Sequence, residues 1–384
     1  MDILLLTHYF TSGRGGAWHV IAIMAEILAK NGHKVYVITN KLQGFESPKH
    51  DNIKTFFVSE HSSQKTSFSW GETLKFSLAL IKIGRRIIKN ENIDIIHSEP
   101  LPGLAGSILS WLTSTPQIVV IHDVFSIQKG LWEESLKQKE ISKINATIRP
   151  IFEKIIIRKK HAAIHTVSEA VKQDLQRVGA KSLIYVIHNA IPINQISKIE
   201  PNQFQLVSIS RLTFYKNVQV AIRSLHIVKK LFPKVSLIII GAGPYRKNLE
   251  QLVKELNLQE NVFFKGHVSE KEKKEFLAKS HALVFPSKFE GFGMVILEAF
   301  EYYKPVLVSR LRPQSDIVED KKMGLVLSPD DESEWAEAII HIFNQPDLAA
   351  KMGENGRIAL EKKYNLEIMT KSILQMYKDV IGKK

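Results

Sequence analysis

Apolar runs of strand length alternate with helical patterns along nearly the whole of this 384-residue chain. The first run, Ile3–Leu6, is followed by a glycine-rich turn at 12–16 and by a helical pattern from Ala17 to Lys30. Strands that are apolar throughout and separated by helices are typical of parallel sheets with helices on both faces. The sequence therefore predicts an α/β fold, in which ligands bind at the carboxyl ends of the strands.

The strand pattern falls into two blocks of domain size. The segment between them, Ile191–Asn202, contains two prolines and no strong periodicity, as expected of a linker. We predict one domain over 1–195 and a second over 196–365, while the last helical stretch, Leu366–Ile381, could pack back on the first domain. The predicted strands are Ile3–Leu6, Val35–Thr39, Ile93–His97, Ile118–His122, Ala163–Val167, Tyr185–Ile187, Gln205–Ile209, Ser236–Ile240, Val262–Lys265, Leu283–Pro286 and Val306–Ser309.

Basic residues outnumber acidic residues in both blocks. The chain has 53 Lys and Arg against 39 Asp and Glu, a net charge of +14; 24 − 16 = +8 lies in 1–195 and 29 − 23 = +6 lies beyond it. Such a surface attracts anions, whether nucleic acid, acidic lipid or phosphorylated small molecules. A nucleic-acid-binding protein is the remote alternative, because the sequence has no zinc finger, no RNA-recognition signature and no aromatic-rich basic stripe.

The sequence lacks cysteine, which excludes disulfides, Cys-ligated zinc, iron–sulfur centres and thiol catalysis. Polar Thr7 and His8 interrupt the first apolar run, which argues against a signal peptide, so we expect a cytoplasmic protein. The uncharged stretch 101–121 has the length of a membrane span, but prolines, glycines and hydroxyl residues interrupt it. We predict that it forms a short buried helix followed by a buried strand.

The sharpest motif is the segment 285–298, which contains Glu290 and Glu298. A buried strand is predicted to end at Pro286, a turn follows, and a helix begins near Gly293. A helix N-terminus offers N–H groups and the positive end of a dipole to an anion. Two carboxylates that bracket such a site suit a ligand with hydroxyl groups at both ends and phosphate between them, as in a nucleotide sugar. On spacing alone, the alternative is that Glu290 complements the helix dipole and that Glu298 is a solvated surface residue.

Two basic residues, Arg211 and Lys216, come directly after the predicted strand Gln205–Ile209. They therefore lie in a loop at the carboxyl end of a strand, where an Arg fork and a Lys point charge can neutralise a diphosphate. Taken alone, they could equally be two solvated loop cations of a basic protein.

Three further elements are less specific. The turn Gly13–Gly16 has neither a Walker sequence nor the G-x-G-x-x-G spacing, which disfavours a pyridine-nucleotide oxidoreductase. The glycines in Gly241–Gly243 follow another strand, and His122 ends a strand beside Asp123, whose carboxylate could simply satisfy it. The sequence contains no H-E-x-x-H and no Asp-x-Asp, so we expect no metal site.

Taken together, these motifs resemble the retaining glycosyltransferases of family four, which have the GT-B fold. The resemblance covers nearly the whole chain in order, through GGAWHV, NGHKVYVIT, VIHDVF, HTVSEAVKQDL, VIHNAI, SRLTFYKN, GAGP and EGFGMVILEA. It implies two Rossmann-like domains whose parallel sheets face a central cleft. The N-terminal domain would bind the acceptor, and the C-terminal domain would bind a nucleotide sugar.

The family implies catalytic roles for four matching positions. Glu290 would hold the hydroxyl groups of the donor sugar, and His122 would lie beside that sugar. Arg211 and Lys216 would balance the charge of the leaving diphosphate.

The remaining matches concern binding. Glu298 would take the ribose hydroxyls, and the segment around His267 and Val268 resembles the loop that contacts the base. Tyr9 and Arg14 lie where this family receives its acceptor. The backbone would approach the phosphates and the sugar at Gly16, Gly293, Met294 and Val295.

The implied reaction is transfer of a hexose-type sugar from a nucleotide diphosphate sugar, with retained anomeric configuration and with no cofactor or metal. No carboxylate is obviously placed as a covalent nucleophile, so the resemblance favours front-face attack assisted by the departing phosphate. The expected acceptor is a lipid-linked or phosphorylated glycan or lipid, and the alternative is a soluble small molecule or sugar phosphate. Arg14 is unusual within the glycine turn and points to an anionic acceptor.

Two basic segments with apolar stripes, at 75–89 and 154–160, are typical of helices that lie on an anionic membrane surface. They suggest a peripheral association with the inner face of the membrane. The alternative is that each is an ordinary domain helix with a solvated cationic face.

Overall fold

A computed structural model describes residues 1–11, 16–62, 69–202, 204–319 and 322–382 of the chain. Strands and helices alternate through these ranges, and the paired strands run parallel. The strands are β1 (Asp2–Tyr9), β2 (Lys34–Leu42), β3 (Ile53–His61), β4 (Ile95–Ser98), β5 (Gln117–Ile121), β6 (Ala163–Thr166), β7 (Ile184–Val186), β8 (Gln205–Ile209), β9 (Ser236–Ile240), β10 (Val262–Gly266), β11 (Ala282–Phe285), β12 (Val306–Ser309) and β13 (Gly324–Leu327).

The helices lie between these strands and after them. They are α1 (Gly16–Lys30), α2 (Trp70–Asn90), α3 (Pro100–Thr113), α4 (Lys129–Lys137), α5 (Lys143–Arg158), α6 (Glu169–Val178), α7 (Val218–Val228), α8 (Arg246–Glu255), α9 (Glu270–Lys279), α10 (Met294–Glu301), α11 (Gln314–Ile317), α12 (Glu332–Asn344), α13 (Pro346–Lys363) and α14 (Leu366–Ile381). The α/β fold predicted from the apolar strand pattern is therefore confirmed.

Contacts between residues divide the chain into two units. The first unit comprises Met1–Ile127, Arg149–Ala190 and Leu366–Lys384, and the second comprises Gln128–Ile148 and Ile191–Asn365. This division differs from the expected boundaries of 1–195 and 196–365 at two places, because 128–148 and 191–195 belong to the second unit. Helix α14, which follows the second unit in sequence, belongs to the first.

Within the described residues, the sheet of the first unit has seven strands in the order β3-β2-β1-β4-β5-β6-β7. Every residue of β4, β5 and β6 is buried, including the polar His97, Gln117 and His165, as expected of central strands covered on both faces. The strand order reverses between β1 and β4. The carboxyl ends of these two strands therefore form the topological switch point of this sheet, where ligands of doubly wound folds bind.

The sheet of the second unit has six strands over the described ranges, in the order β10-β9-β8-β11-β12-β13. Its core joins the apolar faces of β8, β9 and β11 to the inner faces of α7, α8 and α12, with Trp335 fully buried. The strand order reverses between β8 and β11, so the loops after these two strands meet at the switch point.

The uncharged stretch at 101–121 folds into a helix and a strand, α3 and β5, as predicted. The strand is buried, but the C-terminal part of α3 is not, because it exposes Ile108, Trp111 and Leu112. None of the helices in the described part of the chain is long and apolar enough to cross a bilayer. Two edge strands, β3 and β13, are additional to those predicted from the sequence.

Helix α14 is held on the first unit by polar contacts as well as by apolar packing. The hydroxyl of Tyr377 lies 2.8 Å from Nδ1 of the buried His97 on β4. Tyr185 on β7 donates a hydrogen bond to the carboxylate of Asp379, at 3.0 Å. The C-terminal helix is thus part of the first unit's structure, although nearly two hundred residues separate it from Tyr185 in sequence.

Candidate functional site

The switch point of the second sheet is formed by two loops, which we call the β8 loop (210–217) and the β11 loop (286–293). The β8 loop carries Arg211 and Lys216, and the β11 loop carries Glu290. The sequence motifs are therefore brought together because β8 and β11 are neighbouring parallel strands. This is the position at which open α/β sheets bind their ligands.

Lys216 and Glu290 form an ion pair across the two loops. The ammonium Nζ lies 2.5 Å from Oε1 of the carboxylate, and the two side chains are only 15% and 12% exposed. A charge-assisted bond in such a poorly solvated position is stronger than a surface pair. The sequence predicted both residues at this edge of the sheet, but it did not predict that they contact each other.

The two loops are also joined through the backbone and by aromatic packing. The N–H of Lys288 donates to the carbonyl of Tyr215 at 2.8 Å, and the ring of Tyr215 meets that of Phe289 edge-on. Buried Gln314 donates to the carbonyl of Ser287 at 2.7 Å, which fixes the β11 loop from below. These contacts hold the ion pair in one arrangement.

The glycines at 241 and 243 have a structural role in the β8 loop. A Cβ at either position would overlap a backbone carbonyl oxygen, that of Ser210 for Gly241 and that of Leu212 for Gly243. The close approach allows the N–H of Leu212 to donate to the carbonyl of Ala242 at 3.0 Å. The loop after β9 therefore supports the backbone on either side of Arg211.

Arg211 is exposed at the edge of the β8 loop. Its guanidinium is therefore available to an anion from solvent, whereas Lys216 is held against Glu290. Together with the N-terminus of α10, the two cations form a site that suits a polyanion such as a diphosphate.

The N-terminus of α10 begins at Met294, as the sequence predicted. Gly293 caps it with a φ of 101°, a left-handed conformation that side chains other than glycine rarely adopt. The N–H of Ile296 already donates to the carbonyl of Gly293 at 2.9 Å, while the first N–H groups of a helix have no acceptor within it. The N–H groups of Met294 and Val295 are thus the ones that this helix can offer to an anion.

Glu298 lies one turn into α10 and faces α9. Lys273 of α9 bridges two carboxylates, at 3.0 Å from Oε1 of Glu298 and 2.9 Å from Oε2 of Glu270. Burial raises the pKa of Glu298, and the nearby Lys273 opposes that shift. The carboxylate is therefore oriented by a cation that sequence reasoning missed, because the two helices are far apart in sequence.

The predicted base-contacting residues follow β10. His267 is exposed and Val268 is half-buried, directly before the capping box of α9, in which Ser269 and Glu272 exchange hydrogen bonds with each other's backbone. The cap fixes where α9 begins, so it also fixes the short loop that carries His267 and Val268.

In the first unit, His122 directly follows β5. Its Nε2 atom is buried and forms no hydrogen bond with any of the described residues. Burial lowers the pKa of His122 to about 4, so the imidazole is neutral near pH 7. A neutral imidazole can bind a sugar hydroxyl without adding a charge.

The other residues predicted in the first unit differ in their surroundings. Gly16 opens α1, is exposed, and has no described atom within 4 Å of the position that a Cβ would take. Packing therefore does not require glycine there. Arg14, expected to bind the acceptor, lies outside the described residues.

Tyr9 is a core residue rather than a surface one. Its side chain is fully buried, its hydroxyl lies 3.0 Å from Nδ1 of His61, and its ring packs edge-on against Trp18. The expectation that Tyr9 contacts an acceptor is corrected by this burial, because no solvent-facing atom of its side chain remains.

A carboxylate that sequence reasoning missed lies at the switch point of the first sheet. Oε2 of the buried Glu99, after β4, accepts hydrogen bonds from the Thr7 hydroxyl at 2.6 Å and from the N–H of His8 at 2.9 Å. Burial raises the pKa of Glu99 to about 7, although these two donors oppose the shift. The only sequence feature that could have indicated Glu99 is its place just after a short predicted strand.

The described residues contain no group of three His, Asp or Glu side chains arranged to hold a metal ion. The chemistry that the site does offer is cationic and hydrogen-bonding: two basic side chains and a helix N-terminus for an anion, and two fixed carboxylates for hydroxyl groups.

Two family models match consecutive parts of the chain. Residues 14–195 match the model described as glycosyltransferase family 4, and residues 191–359 match the model described as glycosyl transferases group 1. The two matches together take in the second sheet, the first sheet apart from β1, and both loops of the candidate site.

Known proteins resemble the chain over most of its length. An uncharacterised glycosyltransferase of Methanocaldococcus jannaschii is 28% identical over 309 residues, which is 80% of this chain and 81% of that one. The solved structure of sucrose-phosphate synthase from Thermosynechococcus elongatus has a TM-score of 0.82 at 20% identity, with all of both chains covered. The structure of HepE from Anabaena in complex with UDP-glucose has a TM-score of 0.76 at 18% identity and covers 99% of this chain and 100% of that one.

Proposed function

Because the chain belongs to the group 1 glycosyl transferases of family four and has the GT-B fold, we propose that it moves a hexose-type sugar from a nucleotide diphosphate sugar to an acceptor, with retention of anomeric configuration. As a member of that family the chain is a glycosyltransferase. The donor, the acceptor and the stereochemistry are the parts that we propose.

The observation that carries the proposal is the ion pair between Lys216 and Glu290 at the switch point of the second sheet. A diphosphate needs a cation, and a sugar needs a carboxylate that accepts from its hydroxyl groups. The pair places a cation and a carboxylate within hydrogen-bond distance of each other, and the carboxylate lies on the loop that leads into α10.

In the proposed site, the diphosphate contacts Arg211, Lys216 and the N–H groups of Met294 and Val295. Glu290 accepts from the sugar hydroxyls, and Glu298, oriented by Lys273, accepts from the ribose hydroxyls. His267 and Val268 flank the base. For Gly16 and His122 we keep the roles that the family resemblance implies, a close approach to the phosphates and a place beside the donor sugar. We add that the neutral imidazole of His122 forms a hydrogen bond with that sugar.

In the proposed reaction, the bond between the anomeric carbon and the distal phosphate oxygen breaks while the acceptor oxygen bonds to the same face of that carbon. The electron pair leaves with the nucleoside diphosphate, and the acceptor proton passes to the departing phosphate oxygen. Charge develops on the phosphate, so Arg211, Lys216 and the helix N-terminus stabilise the transition state more than the ground state. We propose that these cations serve in place of a metal ion.

A screen of donors tests this proposal. UDP-, GDP- and ADP-hexoses should be compared by their effect on the thermal unfolding midpoint and by release of the nucleoside diphosphate, with and without a metal chelator. UDP-glucose is the first donor to try, because it is the ligand of the related HepE structure. We expect at least one donor to raise the midpoint and to be hydrolysed slowly in chelator; no effect from any donor would contradict the proposal.

We also propose that the acceptor lies on an anionic membrane, because the outer face of α2 combines apolar and basic side chains. Leu74 and Leu78 are 62% and 59% exposed at its N-terminal end, and Trp111 on the neighbouring α3 is 81% exposed. The C-terminal half of the same face is basic, with Lys82, Arg85, Arg86 and Lys89. Exposed aromatic and apolar side chains beside basic ones favour an anionic lipid surface.

Co-sedimentation tests this second proposal. The protein should pellet with phosphatidylglycerol vesicles at low salt and much less with phosphatidylcholine vesicles. The double variant Leu74→Ser/Leu78→Ser should lose most of the pelleted fraction, whereas Leu231→Ser, an equally exposed leucine of the second unit, should not. Equal sedimentation of all three proteins, or none with either lipid, would favour the alternative of a soluble sugar phosphate or small-molecule acceptor.

A further inference from the structure

The segment 128–148 leaves the first unit after the turn Phe125–Ile127 and packs on the second unit. We call it the strap. Its helix α4 lies against the short turn Phe214–Lys216, which is the part of the β8 loop that carries Lys216. The strap therefore contacts the very loop to which the proposed function assigns the diphosphate.

One side chain makes the main polar contact between the strap and that loop. Oε1 of Glu140 accepts a hydrogen bond from the backbone N–H of Phe214 at 2.6 Å, across 74 positions of sequence. The ring of Phe214 in turn packs edge-on against Tyr245, with the centroids 5.5 Å apart. Both faces of residue 214 are thus fixed, one by the strap and one by the start of α8.

Glu140 is also an acidic group beside a site that must bind an anion. Burial raises the pKa of its carboxyl group, and the Phe214 N–H, the Ser135 hydroxyl and the charge of Arg211 oppose that shift. Arg211 is thus close enough to Glu140 for the two charges to interact. The carboxylate of Glu140 would therefore repel a diphosphate bound to Arg211.

We propose that Glu140 is a positioning residue of the donor site, which holds the β8 loop through the Phe214 N–H and limits its affinity for a nucleoside diphosphate through its negative charge. The proposal rests on the proposed function, because it takes the β8 loop as the diphosphate site. It assigns the strap a role in release of the product nucleotide, since the same charge that weakens diphosphate binding speeds its departure.

The two effects of Glu140 can be separated by substitution. Glu140→Gln keeps an oxygen that accepts from the Phe214 N–H but removes the charge, so UDP should bind about threefold more tightly. Glu140→Ala removes both, and the loss of a bond to a charged acceptor is expected to weaken binding about tenfold. The Glu140→Ala variant also loses the repulsion, which tightens binding about threefold. The net affinity of this variant for UDP should therefore be about threefold below that of the unmodified protein.

The experiment is calorimetric titration of the full chain with UDP, with GDP and ADP as further probes, at low and at physiological salt. The matched control is Glu337→Gln, which removes one exposed carboxylate from α12 of the same unit and should leave the affinity unchanged. Thermal unfolding of each variant shows whether it folds. If the Ala variant does not fold, the Gln variant alone decides, because tighter binding by Gln is the prediction that a purely structural role does not make.

Opposite changes in the Gln and Ala variants, with the difference reduced at higher salt, would support the proposal. If UDP, GDP or ADP binds the unmodified protein but both variants bind more weakly or both are unchanged, the role of Glu140 is wrong while the proposed function stands. If none of the three binds the unmodified protein, the proposed function fails, and the role of Glu140 fails with it.

Discussion

The Lys216–Glu290 pair is built before any ligand arrives. Both side chains are mostly buried, so each depends on the other for compensation of its charge. A donor that inserts between them would exchange one carboxylate for phosphate oxygens on the lysine and one ammonium for hydroxyl groups on the glutamate. The arrangement therefore presents both groups already desolvated and oriented, which lowers the reorganisation needed during transfer.

Removal of either partner should abolish most of the activity. Glu290→Ala should leave no measurable transfer, and Lys216→Ala should reduce kcat about 10²–10³-fold, because the leaving diphosphate loses a positioned cation. The measurement is the initial rate of nucleoside diphosphate release from the donor found in the screen. Lys247→Ala is the control, since it removes an exposed lysine from α8 of the same unit.

Near-normal turnover in Lys216→Ala would contradict this assignment. The thermal unfolding midpoint of each variant must be measured as well, because a buried carboxylate without its cation destabilises the fold. A Lys216→Arg variant separates the two effects: it restores the charge but not the point geometry, so it should recover stability more than rate.

At the residue scale, the sequence predicted the local motifs but not their partners. Glu290, Arg211 and Lys216 stand next to strand ends, so their place at the edge of the sheet follows from the chain alone. Lys273, Glu99 and Glu140 act on residues that are distant in sequence, and no local spacing marks them. Tyr9 is a different case, because the family resemblance implies an acceptor contact whereas its side chain is buried.

At the scale of elements, the site depends on the fit between the β8 loop and the loop after β9. The glycines at 241 and 243 let the two backbones approach until Leu212 and Ala242 are hydrogen-bonded. The loop that carries Arg211 is thus supported by a neighbouring strand connection, and its geometry does not rest on its own short sequence.

Gly243→Ala should therefore damage both stability and activity. The added methyl group would overlap the carbonyl of Leu212, so we expect a loss of about 3 kcal/mol in the free energy of unfolding. Urea denaturation measures it. Gly71→Ala is the matched control, because a Cβ there meets open space in the first turn of α2; equal stability of the two variants would show that the close approach is not required.

The strands that the sequence did not predict lie at sheet edges. β3 closes one edge of the first sheet and its residues are mostly half-buried or exposed, so it lacks the continuous apolar run of a central strand. β13 has only four residues at the edge of the second sheet. A central strand is buried on both faces, so it can be predicted from its run of apolar residues. An edge strand depends on pairing with a neighbouring strand, which the sequence does not reveal.

At the scale of the whole molecule, titration of buried groups in the first unit predicts a loss of stability in acid. Burial lowers the pKa of His8 to about 4 and that of His165 to about 3, and lowers that of His97 well below its usual value of 6.5. The unfolded chain binds these protons below about pH 6.5 while the folded chain does not. Stability is therefore complete above that pH and falls as the pH drops toward 3.

Glu99 acts in the opposite direction. Its pKa is raised from 4.5 to about 7, so the folded chain holds one proton in this range that the unfolded chain releases. His122 of the same unit, whose pKa burial lowers to about 4, adds to these three, so four histidines stand against one carboxyl group. We therefore expect the free energy of unfolding to fall by about 5 kcal/mol between about pH 7 and about pH 5. Urea unfolding curves at the two pH values measure it; an unchanged midpoint, or a more stable protein at the lower pH, would contradict the burial of these histidines.

The net charge of +14 also gains a more definite meaning at this scale. Arg211 and Lys216 account for a small, specific part of it at the proposed diphosphate site. The basic face of α2 accounts for another part, next to the exposed Leu74 and Leu78. The two parts make separate predictions, since nucleotide binding and vesicle binding can be lost independently.

We propose that the Lys216–Glu290 site transfers sugar from a nucleotide diphosphate donor with retention of anomeric configuration. Time-resolved proton NMR tests it most directly, by following an α-linked UDP-hexose, or the GDP- or ADP-hexose that binds, in the presence of the unmodified protein and of Glu290→Ala. We predict that the unmodified protein releases the nucleoside diphosphate and forms the α-anomer of the sugar first, and that Glu290→Ala does neither. Release of the β-anomer first, or equal turnover by the two proteins, would contradict the account.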